Sequence, residues 1–351
     1  MPTRIRIAAL PAIILVLLTI GCSEKDGPVP AGLKYNSQAV MEVDRELSGD
    51  KTDARERAVL KGLRWCLIFF DDDGNFNFAF KNYMTMLNEL TLPRPRSSLA
   101  LIAHRQVLKE FERALPRLPG IFPADADGYE KFISILPVAY NHQVPIGPLK
   151  EFAERHFARV NPPDRLEEFR RAARQRDYDS LTDYVVDAAW KNMAYRWNAQ
   201  KDFRLPPDNY GTVMAECANI PLLHKYGDDA YHDQNYYATH VLLALNRYGQ
   251  EALRPSAIGD RIFFYLTEQY DIVRNKVGDL DLLCEYLYCF RQFAPRGVQF
   301  VREGEGYVMS LQNPDGSWGT EEDFEGDPYD RFHPTWTAIT LLVQADGTRK
   351  E

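Results

Sequence analysis

Ionisable residues recur at the same end of alternate helical segments in this 351-residue chain. Tyr178-Asp179-Ser180-Leu181-Thr182-Asp183-Tyr184-Val185 resembles Tyr236-Tyr237-Ala238-Thr239-His240-Val241-Leu242, which puts Asp183 and His240 in equivalent positions. The next two alternate segments carry Asp279 and Asp281, and then His333 ahead of Pro334-Thr335-Trp336-Thr337. A neutral imidazole can bind a metal or act as a base, and a carboxylate can ligate the same ion or orient the ring. Asp, Ser and Thr are also favoured N-caps, and Pro suits the first helical position. Capping accounts for each Asp about as well as chemistry does. It accounts less well for His240 and His333, because histidine caps poorly.

Other chemistries leave no trace. The sequence has no Gly-x-Ser-x-Gly elbow, P-loop, His-Glu-x-x-His, dinucleotide glycine fingerprint or Cys-x-x-Cys. With 42 Lys and Arg against 50 Asp and Glu, the net charge of −8 argues against a nucleic-acid partner. At 45% apolar and 26% charged residues the composition is that of a globular protein with a large core. Cys284 and Cys289 point away from each other round a helix, so buried free thiols are expected there rather than a disulfide framework.

Apolar residues recur three and four apart almost everywhere, as in Leu280, Leu283, Leu287 and Phe290, and sustained period-two alternation is missing. The expected class is all-α. Breakers such as Pro93-Arg94-Pro95, Pro119-Gly120, Asn161-Pro162-Pro163 and Pro206-Pro207 divide the chain into helices near 54–70, 75–91, 98–117, 127–142, 148–175 with a break at Pro162, and 180–198. A second half follows near 208–224, 233–248, 257–271, 279–293, 298–312 and 334–345. Twelve segments in six pairs suggest a helical toroid or solenoid.

Residues 303–318, Glu303-Gly304-Glu305-Gly306-Tyr307-Val308-Met309-Ser310-Leu311-Gln312-Asn313-Pro314-Asp315-Gly316-Ser317-Trp318, resemble the QW repeat of terpenoid cyclases and protein prenyltransferases. The leading basic position departs, being Glu303. Together with residues 329–338 the resemblance stays within residues 303–338. Its physical sense is a helix ending near Gln312, a turn at Asn313-Pro314-Asp315-Gly316, and Trp318 sealing adjacent repeats.

The resemblance implies an (α/α)6 toroid of about twelve helices spanning 50–351, with the even-numbered helices inside. It implies that Asp73, Asp127, Asp183, His240, Asp281 and His333 lie near one rim with the acidic loop 321–327. Cation-olefin cyclisation needs an Asp-x-Asp-Asp that is absent, and Asp71-Asp72-Asp73-Gly74 is more simply a helix cap. Protein prenyltransferases hold zinc with an Asp-x-Cys and a later His. His333 matches that His, and Asp279-Leu280-Asp281 stands where the Asp-x-Cys is expected, with Asp281 in place of the Cys and Cys284 one turn on. The resemblance therefore implies His240, Asp281 and His333 as catalytic or metal-binding residues converging on one cavity, with a divalent metal such as zinc as possible cofactor. A third chemistry uses two carboxylates across the cavity on a glycan, with Tyr184, Trp190, Tyr237, Tyr286 and Trp336 stacking on sugar rings. The alternative is a non-catalytic scaffold that binds a peptide, glycan or isoprenoid.

Arg4 and Arg6 precede an apolar run from Ile7 to Ile20, and Leu17-Leu18-Thr19-Ile20-Gly21-Cys22 resembles a bacterial lipobox with Thr19 in place of the usual Leu. The expectation is a signal peptide over 1–21, lipidated Cys22, a polar tether over 22–49, and a lipid-anchored place in the cell envelope, at the outer membrane of a Gram-negative cell. The other reading of the run is an uncleaved anchor or ordinary signal peptide. Removing 1–21 takes away Arg4 and Arg6, so 40 basic and 50 acidic residues leave −10. That charge favours a cationic partner over an acidic one. Cys22→Ser is expected to abolish detergent and membrane partition while the domain stays folded, as fractionation and circular dichroism would show; unchanged partition would contradict the lipid anchor.

Overall fold

The computed structural model describes residues 32–49, 52–293 and 295–343. Cys22, the leader and the first part of the tether lie outside the described residues. Among those described, every regular element is helical and no strand occurs. The principal helices are α1 (Ser37–Leu47), α2 (Ala54–Phe69), α3 (Asp73–Thr91), α4 (Ser98–Ala114), a short α5 (Leu118–Ile121), α6 (Ala126–Asn141), α7 (Ile146–His156) and α8 (Leu166–Gln175). They continue with α9 (Tyr178–Arg196), α10 (Tyr210–Cys217), α11 (Tyr231–Leu245), α12 (Ala257–Ile272), α13 (Leu280–Gln292), α14 (Val298–Ser310), a short α15 (Glu321–Glu325) and α16 (Pro328–Val343).

Side-chain caps start many of these helices. Asp72 accepts the amides of Gly74 and Asn75, Asp125 that of Gly128, Asp177 that of Ser180, and Asp279 that of Leu282. The capping role therefore falls on the residue outside each helix, and Asp183 and Asp281 are left free of it. The acidic stretch 321–327, expected as a loop, contains α15, started by a capping box between Thr320 and Asp323.

Four boundaries depart from the sequence reading. The expected tether over 22–49 contains α1, whose Val40, Val43 and Leu47 are buried and which packs on α2. Its entry is fixed by Asp71, whose carboxylate accepts the backbone N–H groups of Lys34, Tyr35 and Asn36 at 2.7, 2.6 and 2.8 Å. The helix expected over 208–224 stops at Cys217, four residues short of Pro221. Helix α16 begins at Pro328, not at 334, so Pro334 lies inside it and His333 is in its second turn rather than ahead of its start. The acidic loop 321–327 is partly helical, as described above.

The packing partners follow a regular order. Helix α3 packs on α6, α6 on α9, α9 on α11, α11 on α13, α13 on α16, and α16 on α3. A second set covers these: α2 against α16, α4 against α3, α8 and α10 against α9, α12 against α11 and α13, and α14 against α13.

The join between the two ends of the chain is made by Trp318, which is fully buried. Its indole N–H donates to the Val308 carbonyl at 2.8 Å, and its backbone N–H donates to the Thr335 hydroxyl at 2.8 Å. Gln312 donates to the carbonyls of Ala58 and Gly316, both at 2.9 Å, linking this turn to α2. Two glycines are required here. A Cβ at Gly62 would lie 2.8 Å from the Trp318 ring, and Gly316 has φ +97 with the Lys61 carbonyl 2.5 Å from where its Cβ would be. Trp318→Ala should cost on the order of 3–5 kcal/mol of unfolding free energy in a denaturant titration, the range for a large buried aromatic. A change within about 0.5 kcal/mol, the range of ordinary surface substitutions, would contradict this role.

Candidate active site

A cavity of about 1090 Å³ opens among the starts of α9, α11, α13 and α16, with Lys81, Asn82 and Thr85 of α3 on its far side. A smaller pocket of about 60 Å³ shares His240, Tyr248, His333 and Trp336 with it and adds Glu89, Cys284 and Glu285. Asp183, His240, Asp281 and His333 all line the larger cavity.

Asp281 is only 5% exposed. Because Asp279 caps α13, the Asp281 carboxylate is free to meet α16 and α11. Its Oδ2 receives His333 Nδ1 at 2.8 Å and the Tyr236 hydroxyl at 2.6 Å. Its Oδ1 is buried and has no hydrogen-bond partner. The neighbouring Thr337 hydroxyl bonds to the carbonyls of His333 and Pro334 at 3.3 Å. Tyr236 also donates to Asp279 at 3.1 Å, and His232 Nε2 contacts that same Asp279 oxygen at 2.7 Å. The His333 ring stacks on Tyr329, with centroids 4.5 Å apart, and meets Trp336 edge-on at 5.2 Å.

Burial alone would raise the Asp281 carboxyl, but the His333 charge and hydrogen bond, with that from Tyr236, outweigh it and hold the group below the usual aspartate value. Burial likewise opposes the His333 cation, and the Asp281 charge and hydrogen bond overcome that and raise it. Glu285, one turn beyond Asp281, is pushed well up by burial and by the Asp281 charge, so it keeps its proton. Glu89 accepts from Trp336 and Thr340 at 2.8 and 2.9 Å, and burial lifts it to about 7.

His240 is tuned the opposite way. Burial takes it down to about 4, with the His333 charge adding to the fall, so it is neutral at physiological pH. Its Nδ1 lies 3.0 Å from the Tyr236 carbonyl, which can only accept, so the proton sits on Nδ1 and Nε2 keeps its lone pair. His333, with Nδ1–H given to Asp281, carries its transferable proton on Nε2. One imidazole able to accept a proton and one able to donate it border a single cavity.

Asp281, Glu285 and His333 offer ligand atoms all within 4.8 Å of one another, which is the cluster that could hold a metal ion. His240, a ligand in the sequence expectation, is not in that set, and Glu285 stands in its place. Two expected rim residues lie elsewhere. Asp73 pairs with Arg113 at 2.7 Å and with Arg117, while Asp127 pairs with Lys131 at 2.8 Å in the first turns of α6. Of the aromatic residues expected to stack on sugars, Trp190 and Trp336 line the cavity. Tyr237 and Tyr286 are fully buried in the core, and the Arg165 guanidinium lies over the Tyr184 ring. Tyr236, Tyr248 and Tyr329 line the cavity instead. Cys66, Cys217, Cys284 and Cys289 are free and buried.

The chain matches no protein-family model, no curated protein and no solved structure.

The opposite tuning of the two histidines is open to NMR titration of the ring protons. His240 should titrate near 4 and His333 above its ordinary 6.5, and in Asp281→Asn the His333 value should fall. The pair's contribution to stability should be complete between about 3.8 and 6.5. It should decline as pH falls through the depressed Asp281 value or rises through the raised His333 value. Equal titration of both rings would contradict the assignment.

Proposed function

We propose that the protein is a lipid-anchored enzyme of the cell envelope that performs acid–base chemistry on a carbohydrate-like substrate, with His333 as general acid and His240 as general base. The observation that carries this reading is the pair of oppositely tuned imidazoles on one cavity, with Asp281 holding His333 charged. Asp183, exposed on α9, lines the same cavity. Eight carboxylates in the cavity wall make it a poor container for a hydrocarbon, so an isoprenoid substrate is disfavoured. Tyr236, Tyr329 and Trp336, each half-buried, offer aromatic surface for sugar rings. The cyclic order of packing, α3 to α6, α9, α11, α13, α16 and back to α3, supports an (α/α)6 toroid whose inner helices enclose this cavity.

The anchor fits the same picture. Arg331 of α16 donates to Asn75 in the first turn of α3 at 3.3 Å, near Asp71, which holds the chain entering from the tether. With Cys22 lipidated, the twelve residues from Cys22 to Lys34 would let the domain stand at most about 40 Å from the membrane surface.

A second reading is favoured by the Asp281, Glu285 and His333 cluster, whose orphaned Asp281 oxygen suits a cation. A divalent metal such as zinc held there would act as a Lewis acid, with Glu285 giving up its proton to join.

Screening the full-length protein in detergent against oligosaccharides should reveal turnover. His240→Gln and His333→Gln should each lower kcat by roughly 10²–10⁴-fold without loss of fold. The kcat/KM profile should rise as His240 loses its proton near 4 and fall as His333 loses its own above 6.5. Binding without turnover, unchanged in both variants, would support a non-catalytic scaffold instead. Stoichiometric zinc lost on Glu285→Gln would establish the second reading, and a metal-free active protein would remove it.

A further inference from the structure

The small pocket of about 60 Å³ lies against the large cavity, with His240, Tyr248, His333 and Trp336 on the boundary between them, so one ligand can reach both. Tyr248 is set in this neck by left-handed backbone, φ +52 after Arg247 at φ +51, which a bulky residue adopts only when its surroundings hold it there. They include Trp190, whose ring stacks on that of Tyr248 with centroids 5.4 Å apart. A water-sized group needs roughly 10–15 Å³, so the pocket has room for about four or five of them. Leu243, Cys284 and Tyr288 give it apolar walls.

Two buried side chains, Glu89 of α3 and Glu285 of α13, 6% and 5% exposed, face this space, and each spends only one oxygen on the protein. Glu89 Oε2 accepts from both Trp336 and Thr340, so the proton that Glu89 holds below about 7 sits on Oε1. Glu285 Oε2 meets the Thr239 hydroxyl, whose single hydrogen goes to the Tyr236 carbonyl at 2.8 Å. A carbonyl can only accept, so the Glu285 proton sits on Oε2 and leaves Oε1 as an acceptor. Among the described residues neither Oε1 atom has a hydrogen-bond partner, and neither is closed off as Asp281 Oδ1 is. The pocket thus presents one donor, one acceptor and an apolar wall.

A methyl-bearing secondary amide answers all three, since its carbonyl accepts, its N–H donates and its methyl group meets the apolar wall. An acetamido group, with its nitrogen, carbonyl carbon, oxygen and methyl, fills the room available. A carboxylate would set an oxygen against Glu285 Oε1, an ammonium would set a cation against the Glu89 hydroxyl hydrogen, and water would wet the apolar wall. We propose that the small pocket is the subsite for an acetamido group, so that the glycan processed by His240 and His333 carries an N-acetylated amino sugar. Its amide carbonyl accepts from Glu89, and its amide N–H donates to Glu285. This names the substrate class of the site proposed above and rests on that reading.

Calorimetric titration of the full-length, chelator-treated protein in detergent at pH 6 tests it with three β-1,4-linked tetramers, of N-acetylglucosamine, glucosamine and glucose. The N-acetylated tetramer should bind at least about tenfold more tightly than either of the others, because an analogue without the amide leaves the buried donor and acceptor unpaired. Glu89→Gln, which keeps an N–H where the acid O–H stands, should retain that preference. Leu243→Phe, which fills the pocket from its wall, should remove it, and Cys284→Met makes the same test from another wall if Leu243→Phe does not fold. Equal binding of the three tetramers would overturn the acetamido subsite while leaving the glycan reading intact. Tighter binding of the free-amine tetramer, or a preference that survives in the folded pocket-filling variant, would place selection outside the pocket and overturn it too. Binding of none of the tetramers would remove the glycan reading and the subsite with it.

Discussion

The Asp281 carboxylate is a charge in a place where charge is expensive, and the surrounding protonation states follow from that. Moving a carboxylate out of water costs several kcal/mol even after relaxation, unless a partner of opposite sign and good hydrogen bonds come with it. His333 and Tyr236 supply both on a single oxygen. Once Asp281 is ionised and His333 charged, Glu285 cannot ionise one turn away and holds its proton. His240, beside the His333 charge and equally buried, stays neutral. One buried negative charge thus separates two histidines into a donor and an acceptor.

That arrangement depends on how α16 is held. Thr335, two residues beyond His333, bonds both to the backbone N–H and to the carbonyl of Trp318. Trp318 is in turn wedged against Gly62 of α2. The seam that joins the last helix to an early one therefore also sets the ring that pairs with Asp281. On the opposite side Asp279 takes the capping of α13, which releases Asp281 for the interior. A structural residue and a chemical one are divided between two aspartates only two positions apart.

Much of this was legible in the sequence, and the misses have physical reasons. Apolar spacing marked most helices within a few residues, and the turn between Gln312 and Trp318 behaves as its residues suggest. The N-terminal helix was hidden by the Gly and Pro residues before it, although Val40, Val43 and Leu47 carry helical spacing. Pro334 looked like a helix start, but Pro328 occupies the first position and α16 absorbs the second proline. His240, Asp281 and His333 were visible as polar residues at recurring positions. Glu285 was not, because it sits among Leu283, Cys284 and Tyr286 in what reads as core. Its spacing of four from Asp281, which puts both on one helix face, was the available signal. Asp73 and Asp127 shared the rim pattern and were claimed by nearby arginines and a lysine, a choice that only tertiary contacts make.

The claim that organises this account is that Asp281 and His333 are energetically one unit, and a double-mutant cycle reads it directly. Unfolding free energies at pH 6 would be compared for the wild type, Asp281→Asn, His333→Gln and the double variant. The account predicts a coupling of roughly 2–5 kcal/mol, with the double variant less damaged than the two single losses imply. Additivity within about 0.5 kcal/mol would show that the two side chains do not share a buried charge, and the separation of donor and acceptor histidines would lose its cause.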